Sequence, residues 1–393
     1  MTETYDAVVV GARAAGASTA LLLARAGARV ALVDRTAYGS DTLSTHALMR
    51  AGVLQLSRWG VLDDVVGAGT PAVRRTLFHY AGEETVQVSI RPTPWVEALY
   101  APRRHLLDRV LVDAAAGAGA AVVHGLHVTG VHGENGRVQG VSTVTPDGRS
   151  SIVRGRIVVG ADGIRSTVAS SVGAAVLRRG RAGGAVLYRY YTDLPAAGYE
   201  WAYGEGAAAG LIPTNDGLTC AFVATRPWLM KQVRRDGAEA AFDNLLELAA
   251  PGLVNRVRGA IPTDRLHGWA GVPGFARRAW GDGWSLVGDA GYFRDPITTH
   301  GITDALRDAE LLTDAVLAAW GGSMPESEAL AGYQQRRDAL SADLSTATER
   351  IAAYDWGPGE IRALLREVSS AMTDEVELLQ ARGGLDPAGS LTR

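Results

Sequence analysis

The sequence predicts an α/β fold, because three apolar runs each end at a glycine-bearing turn and pass into a helical pattern. These runs are Ala7-Val8-Val9-Val10, Ile157-Val158-Val159-Gly160 and Trp284-Ser285-Leu286-Val287. Between them, residues 76–100 and 184–271 alternate apolar and polar side chains, a strand-like pattern that by itself fits any β-rich domain. One helix, about Asp236 to Ala249, interrupts that pattern. Two further helical patterns close the chain, about Glu328 to Tyr354 and Glu360 to Arg382, divided at Gly357-Pro358-Gly359.

The first unit runs from Asp6 to Asp34. It is a strand, the turn Gly11-Ala12-Arg13-Ala14-Ala15-Gly16, an Ala/Leu-rich helix stopping at Gly27, and a second strand Arg29-Val30-Ala31-Leu32-Val33. A tight glycine turn feeding a helix N-terminus leaves backbone N–H groups unpaired at the positive helix end, where a pyrophosphate binds. Asp34 lies about 20 residues past the turn, where a carboxylate accepts from ribose hydroxyls. The unit therefore reads as a dinucleotide site. One departure stands in it: Arg13 replaces the second glycine of G-x-G-x-x-G, the one that admits close backbone approach to the pyrophosphate. Arg13 either turns outward or lays its guanidinium on a phosphate. The alternative to a dinucleotide site is a plain buried strand-to-helix turn.

Two distant segments decide between these. In Arg156-Ile157-Val158-Val159-Gly160-Ala161-Asp162-Gly163-Ile164-Arg165-Ser166 a strand ends in a glycine-flanked acid and a helix begins. After the third apolar run, Gly288-Asp289-Ala290-Gly291 is followed by Asp295-Pro296-Ile297-Thr298-Thr299-His300-Gly301-Ile302 and a long helix containing Asp308-Ala309-Glu310-Leu311-Leu312. Either acid alone is compatible with a helix cap. All three segments together, over roughly residues 5 to 320, resemble the FAD-dependent monooxygenases of the para-hydroxybenzoate hydroxylase type (class A) and their relatives, the geranylgeranyl reductases and flavin-dependent halogenases.

The resemblance implies a Rossmann-like FAD-binding domain with an inserted β-sheet substrate domain and C-terminal helices. It divides the chain into FAD-binding parts at 1–72, 103–175 and 280–325, substrate-sheet parts at 73–102 and 176–279, and a helical region at 326–393. Gly11, Arg13, Ala14, Ala15, Gly16, Asp34, Arg35 and Thr45 would then surround the FAD. Arg104, in Arg-x-x-Leu-x-x-x-Leu with Leu107 and Leu111, would contact the ribityl and phosphate region, unless it is a solvated helix-face arginine. Asp162 would lie near the pyrophosphate and serve NAD(P)H use. Asp289, beside Gly288, would hold the ribityl, since a carboxylate accepts from two sugar hydroxyls at once. Pro296, Thr299, His300, Gly301 and Ile302 form the loop and helix start that in this family face the flavin pyrimidine. A helix N-terminus favours the anion there by very roughly 0.3–2 kcal/mol. The usual Gly-Gly-Gln-Gly is here Thr298-Thr299-His300-Gly301, so His300 is a donor, a proton-transfer group or a simple cap.

The same resemblance places Asp41-Thr42-Leu43-Ser44-Thr45-His46 beside the isoalloxazine. His46 is then a candidate for substrate orientation or proton transfer, against a loop or capping histidine. Trp95, Tyr188, Tyr203 and Phe222, with Tyr100, Tyr190 and Trp201, belong to the alternating segments and suit an aromatic or polycyclic ligand, or else only a core. Tyr292, Phe293 and Arg294 follow the ribityl acid. Arg294 binds an anionic substrate group or pairs with Asp295.

Composition sets bounds on function. A length of 393 residues fits two to three domains, and 47% hydrophobic residues supply a sizeable core. A formal charge of −3 without a basic run argues against nucleic acid. No apolar stretch reaches the roughly 18 residues that span a bilayer, and Met1-Thr2-Glu3-Thr4-Tyr5 lacks a cationic signal region. A cytoplasmic location without stable membrane insertion is expected. The one cysteine, Cys220, lies in a strand-like stretch and is expected in the core. Lys231 is the only lysine, whereas halogenases of this resemblance need one in the first part of the flavin domain. Their W-x-W-x-I-P signature is also missing, Leu211-Ile212-Pro213 having no tryptophans ahead of it.

A conventional halogenase is therefore not expected. The expectation is an FAD monooxygenase that consumes NAD(P)H and O2 and oxygenates an aromatic or polycyclic small molecule, as in bacterial secondary metabolism. An FAD-dependent prenyl or C=C reductase shares every flavin motif and remains the alternative. The C-terminal helices suit a lid, a dimer surface or plain packing.

Overall fold

The computed structural model describes residues 4–80 and 85–381. The remaining positions of the expected terminal regions, including Arg382, and residues 81–84 of the first alternating stretch lie outside the described residues.

The first sheet follows the order Trp280–Gly281, Trp284–Leu286, Ser150–Gly160, Thr4–Val10, Val30–Asp34, Ala121–His124. Its central pairs are parallel: Thr4–Val10 lies between Val30–Asp34 and Ser150–Gly160, and Trp284–Leu286 lies beside Ser150–Gly160. Parallel strands covered on both faces read as unbroken apolar runs, which is why Val8, Val9, Val158 and Val159 are all fully buried. Successive side chains enter opposite layers. Ala7 and Val9 pack against the helix Ala14–Arg25, while Val8 and Val10 meet an antiparallel pair, His127–Glu134 and Arg137–Val144.

The second sheet runs Ile261–Pro262, Ala185–Thr192, Thr219–Thr225, Ala207–Pro213, Tyr199–Gly204, Arg75–Tyr80, Val86–Ser89. Its register aligns one continuous row: Phe78 with Trp201, Trp201 with Gly210, Gly210 with Phe222, Phe222 with Tyr188, and Tyr188 with His267. This front face also carries Tyr199, Tyr203, Cys220 and Tyr190, and it packs into the same core as the first sheet's helices. The alternate positions Leu187, Ala202, Leu211, Ala221 and Val223 form the back face, closed by the helix Ala238–Ala249 through Phe242, Leu245 and Leu246. Period-two alternation thus puts aromatics in front and aliphatics behind. Gly210 permits the row, because a Cβ there would lie 2.5 Å from the Phe222 ring. Cys220 is buried, as expected.

The back-face helix starts at Ala238 rather than Asp236, because Gly237, at φ 104°, turns the chain into it. A small third sheet joins Val176–Arg179, Phe275–Arg277 and Tyr292–Phe293. The helix Gly301–Trp320 packs on Ala14–Arg25 and on Glu326–Ala352, and Pro358–Ala381 lies against Glu326–Ala352 and Arg50–Arg58. Among the described residues, no helix is long and apolar enough to cross a membrane.

Phe242 is 1% exposed and plugs the back face. Phe242→Ala is expected to lower unfolding free energy by about 3–5 kcal/mol. The urea midpoint of the purified variant checks this, and a change under about 1 kcal/mol would show that the helix does not hold the sheet.

Candidate active site

The turn after the first strand is built to leave an anion place. Gly11 adopts φ 104°, and a Cβ on Gly16 would come within 1.8 Å of the Gly11 carbonyl oxygen. The helix Ala14–Arg25 has no side-chain cap and no acid in its first turn, so its leading N–H groups stay available for an anion. Arg13 turns aside from this place. Its Nη1 donates to the Ser40 carbonyl at 2.6 Å and to Asp108 at 3.0 Å. Asp34 accepts from the Ala12 N–H through Oδ2 and from the Thr36 N–H and hydroxyl through Oδ1, each at 2.6 Å. A carboxylate has about four lone-pair positions, so one on Oδ2 remains for a ribose hydroxyl. A cleft beside it is lined by Ala12, Thr36, Tyr38, Arg109 and His124. Arg35 is exposed at its edge.

Asp289 is the clearest mark of a site for a polar ligand. It lies partly buried in the turn Gly288–Ala290, and no described residue donates a hydrogen bond to its carboxylate. Burial pushes its pKa up to about 7; Arg104 opposes this, while Asp304 and Asp308 add to it. Gly288, at φ 57°, brings the turn so close to the first helix that a Cβ would lie 2.8 Å from that of Ala15. Arg104 is not a solvated helix-face residue: Nη2 pairs with Asp108 at 3.1 Å, the acid that Arg13 also holds. Asp162 lies beside the Gly11 turn, with its carboxylate turned to a helix. Its carboxylate accepts from the Ser166 hydroxyl at 2.5 Å and the Thr167 N–H at 2.6 Å, so it caps the helix Thr167–Ser171, the alternative open from sequence.

The start of the helix Gly301–Trp320 lies over a buried ionic network. Pro296–Thr298 forms one 3₁₀ turn, Thr299 is left-handed at φ 52°, and His300 occupies the N-cap without capping through its side chain. His300 Nε2 instead donates to Glu375 Oε2 at 2.6 Å. Arg307 Nη1 bridges Glu375 Oε1 at 2.8 Å and Asp304 Oδ1 at 2.9 Å, and Arg307 Nη2 meets Asp308 at 2.8 Å. Burial alone would raise the Glu375 carboxyl, but its contacts with His300 and Arg307 hold it below the usual carboxylate range. His300, Asp304 and Glu375 also offer ligand atoms within 4.8 Å of one another, yet the guanidinium already fills the cation's place between the two acids. Arg294 does not pair with Asp295 and is too buried to meet bulk anions. Its Nη2 meets Asp304 at 3.2 Å and the Tyr292 hydroxyl at 2.6 Å, while Asp295 accepts from the Gly184 and Ile297 N–H groups. Adjacent side chains on an extended segment point opposite ways, which explains the miss. The Tyr292 hydroxyl is engaged by Ser345, and Phe293 packs on Phe275.

At the other side of the front face, His46 is held left-handed at φ 67° and pairs through Nε2 with the Tyr190 hydroxyl. Burial, helped by Arg103 and Arg104, pushes the His46 pKa down to about 3, so the ring is neutral. Burial raises Tyr190 and takes Tyr188 up to about 12, so both phenols stay protonated. Arg103 stacks 3.8 Å above the Tyr190 ring and pairs with Asp41 at 3.1 Å. Tyr188 accepts from the Ser44 N–H at 3.2 Å and stacks on His267 at 5.0 Å. His46 Nδ1 and Arg103 Nε are buried without hydrogen-bond partners among the described residues. Trp95 departs from this group: it sits in the turn Thr93–Val96, half exposed, outside both strands of its hairpin. Tyr203 does belong to the face, but Trp356 from the C-terminal region packs on it edge-on at 5.8 Å.

Residues 4–348 match the family model described as FAD binding domain. The chain belongs to this family. Its FAD-dependent members include monooxygenases, and 6-methylpretetramide 4-monooxygenase of Streptomyces rimosus is 30% identical over 77% of this chain and 73% of its own length. Digeranylgeranylglycerophospholipid reductase 1 of Methanopyrus kandleri is 25% identical over 88% of this chain and 90% of its own. The myxobacterial chondrochloren halogenase CndH superposes with a TM-score of 0.80 at 21% identity, covering 95% of this chain and 97% of that one, which shows a shared fold. The unpaired Asp289 carboxylate, the uncapped first helix and the glycine contacts fit FAD, which when bound supplies two-electron redox chemistry. Sequence reasoning missed Glu375, Arg307 and Asp304 because no local spacing signals partners that meet only after two helices pack.

If Asp289 holds the ribityl, the hydroxyls would donate to its ionised form, whereas burial raises its pKa to about 7 in the free protein. FAD affinity is therefore expected to weaken as pH falls below 7, approaching tenfold per unit. Asp289→Asn should bind weakly with no such slope, while His46→Ala should retain its FAD. Flavin fluorescence titrations of apoprotein across pH 5–8 check this; an unchanged slope in Asp289→Asn would remove the acid from the site.

Proposed function

We propose that this protein is an FAD-dependent monooxygenase that consumes NAD(P)H and O2 to oxygenate an aromatic or polycyclic small molecule. The observation that carries the reading is the front face of the second sheet. Phe78, Trp201, Phe222 and Tyr188 form one cross-strand row on the side of the FAD-binding layer, ending beside the buried His46–Tyr190 pair. Such a face excludes water and stacks on planar rings at 4.5–7 Å. The relative named for 4-monooxygenation of 6-methylpretetramide supports the same direction.

In this reading Gly11, Ala14, Ala15, Gly16 and Asp34 bind the ADP half, Arg104 and Asp289 hold the ribityl and phosphate region, and 296–302 faces the flavin pyrimidine. Tyr190 and His46 share one hydrogen bond and both stay neutral, so the pair would hold a substrate hydroxyl through a hydrogen bond at the His46 Nδ1 rather than by taking up its proton. Arg103, over the Tyr190 ring, would stabilise negative charge developing there. A conventional halogenase stays outside the proposal. Lys231, the only lysine, is exposed on the helix Pro227–Val233, which packs behind the sheet through Met230.

A C=C reductase is the second reading, favoured by the alignment that spans 90% of the archaeal reductase. Turnover under 18O2 separates the two. One labelled oxygen in the product, with NAD(P)H consumed, is expected; a substrate reduced at a double bond under anaerobiosis, with no label gained in air, would transfer the assignment to the reductase.

A further inference from the structure

His300 has one nitrogen in use and one without a partner. A carboxylate only accepts, so Nε2, 2.6 Å from Glu375 Oε2, must carry a hydrogen. Nδ1 is buried and has no hydrogen-bond partner among the described residues. The ring is thus oriented by an acid from the last helix, 75 residues along the chain, and keeps one free position at the start of the helix Gly301–Trp320.

Charged groups face this ring from each neighbouring element. Glu375 comes from the last helix, and Asp304 lies 3.9 Å away on the ring's own helix, with Arg307 bridging both acids. Arg294, from the strand-end loop, neutralises the other side of Asp304. Asp308 lies behind Arg307, and Arg337 of the helix Glu326–Ala352 pairs with Asp338. Thr298 and Thr348 contribute only hydroxyls, bonded to each other at 3.0 Å. Asp304, Asp308, Glu375 and Asp338 therefore face three guanidinium groups, Arg294, Arg307 and Arg337, the last acting on both Asp308 and Asp338. A proton on Nδ1 would supply the fourth positive charge. Gly301, next in the chain, is exposed, so solvent reaches this loop.

We propose that His300, oriented by Glu375, takes up one proton from solvent when the bound flavin is reduced and carries it as positive charge at the flavin's edge. This rests on the FAD reading above. The reductant delivers two electrons and one proton together, as a hydride, and leaves as NAD(P)+, so the reduced flavin gains one negative charge. His300 gains one proton at Nδ1, no protein bond breaks, and the added charges cancel. Glu375 is a positioning residue: it fixes which nitrogen is free and stabilises the imidazolium.

The test is the midpoint potential of the FAD-loaded full chain against pH, by dye equilibration from pH 5.5 to 9. Each proton taken up with two electrons adds about 30 mV per pH unit to the slope. The wild type is expected to be one proton steeper than His300→Gln over part of this range. Glu375→Gln is expected to show that extra slope only at lower pH, with a more negative potential at neutrality. Should Glu375→Gln fail to fold, 15N spectra of the wild-type imidazoles before and after photoreduction read the same event at Nδ1. Equal slopes in wild type and His300→Gln, or an Nδ1 resonance unmoved by reduction, would overturn the proposal. Wild-type protein that retains no FAD has no couple to titrate, and this distinct result would remove the FAD reading together with it.

Discussion

The site depends on three backbone contacts that leave no room for a side chain. A Cβ on Gly16 would sit 1.8 Å from the Gly11 carbonyl oxygen, one on Gly11 would sit 2.5 Å from that of Ala161, and one on Gly288 would meet Ala15 at 2.8 Å. These contacts join segments far apart in the chain. Parallel register makes them possible, since Val10 pairs with Gly160 and Gly160 with Leu286, so the three turns leave the sheet at one level. The first helix's N–H groups, the Asp162 turn and the Asp289 carboxylate are consequently neighbours. Asp162 contributes by holding its own turn rigid through a helix cap, which keeps Ala161 in place against Gly11.

Beneath this lies a buried ionic network that makes the C-terminal helices part of the candidate site. Arg307 is fully buried and pairs with Asp304, Asp308 and Glu375 together. Removing one partner of a buried ion pair costs about 3–5 kcal/mol, because the remaining charge is left uncompensated. The helix Pro358–Ala381 is therefore held to the FAD-binding layer by charge as well as by apolar packing. Tyr354 and Trp356 extend that attachment to the aromatic face, where Trp356 covers Tyr203 and Arg362 stacks 4.4 Å over Tyr80.

The layers of the fold were legible in the sequence because each has its own period. Unbroken valine runs marked the covered parallel strands, and alternation at 185–225 marked a sheet with two different faces. The glycine turns and Asp289 were legible because they are local. What sequence could not show were side-chain pairings across the fold. Arg13 and Arg104 converge on Asp108, Arg294 reaches Asp304 rather than its neighbour Asp295, and Glu375 finds His300. Trp95 misled for the converse reason: it lies near a strand in sequence, but the turn Thr93–Val96 lifts it into solvent.

Motifs that bind FAD select no substrate, since a monooxygenase and a reductase need the same cofactor posture. In the proposed reading, selection falls to the front face of the second sheet, and its chemistry is not neutral between a ring and a chain. A prenyl chain laid on that face would gain about 25 cal/mol for each Å² removed from water. A planar aromatic substrate would gain the same area term and, for each well-placed ring contact, about 0.5–1.5 kcal/mol more. Phe78, Trp201, Phe222 and Tyr188 stand in one cross-strand row, so an extended ring system that reached this face would meet several of them. The His46–Tyr190 pair lies one row further along the same face, neutral and with a partnerless ring nitrogen. A hydroxyl carried on a ring would satisfy that nitrogen, whereas a hydrocarbon chain would leave it unpaired at a cost of about 1–3 kcal/mol. Stacking and hydrogen bonding therefore act in the same direction, towards an oxygen-bearing aromatic substrate.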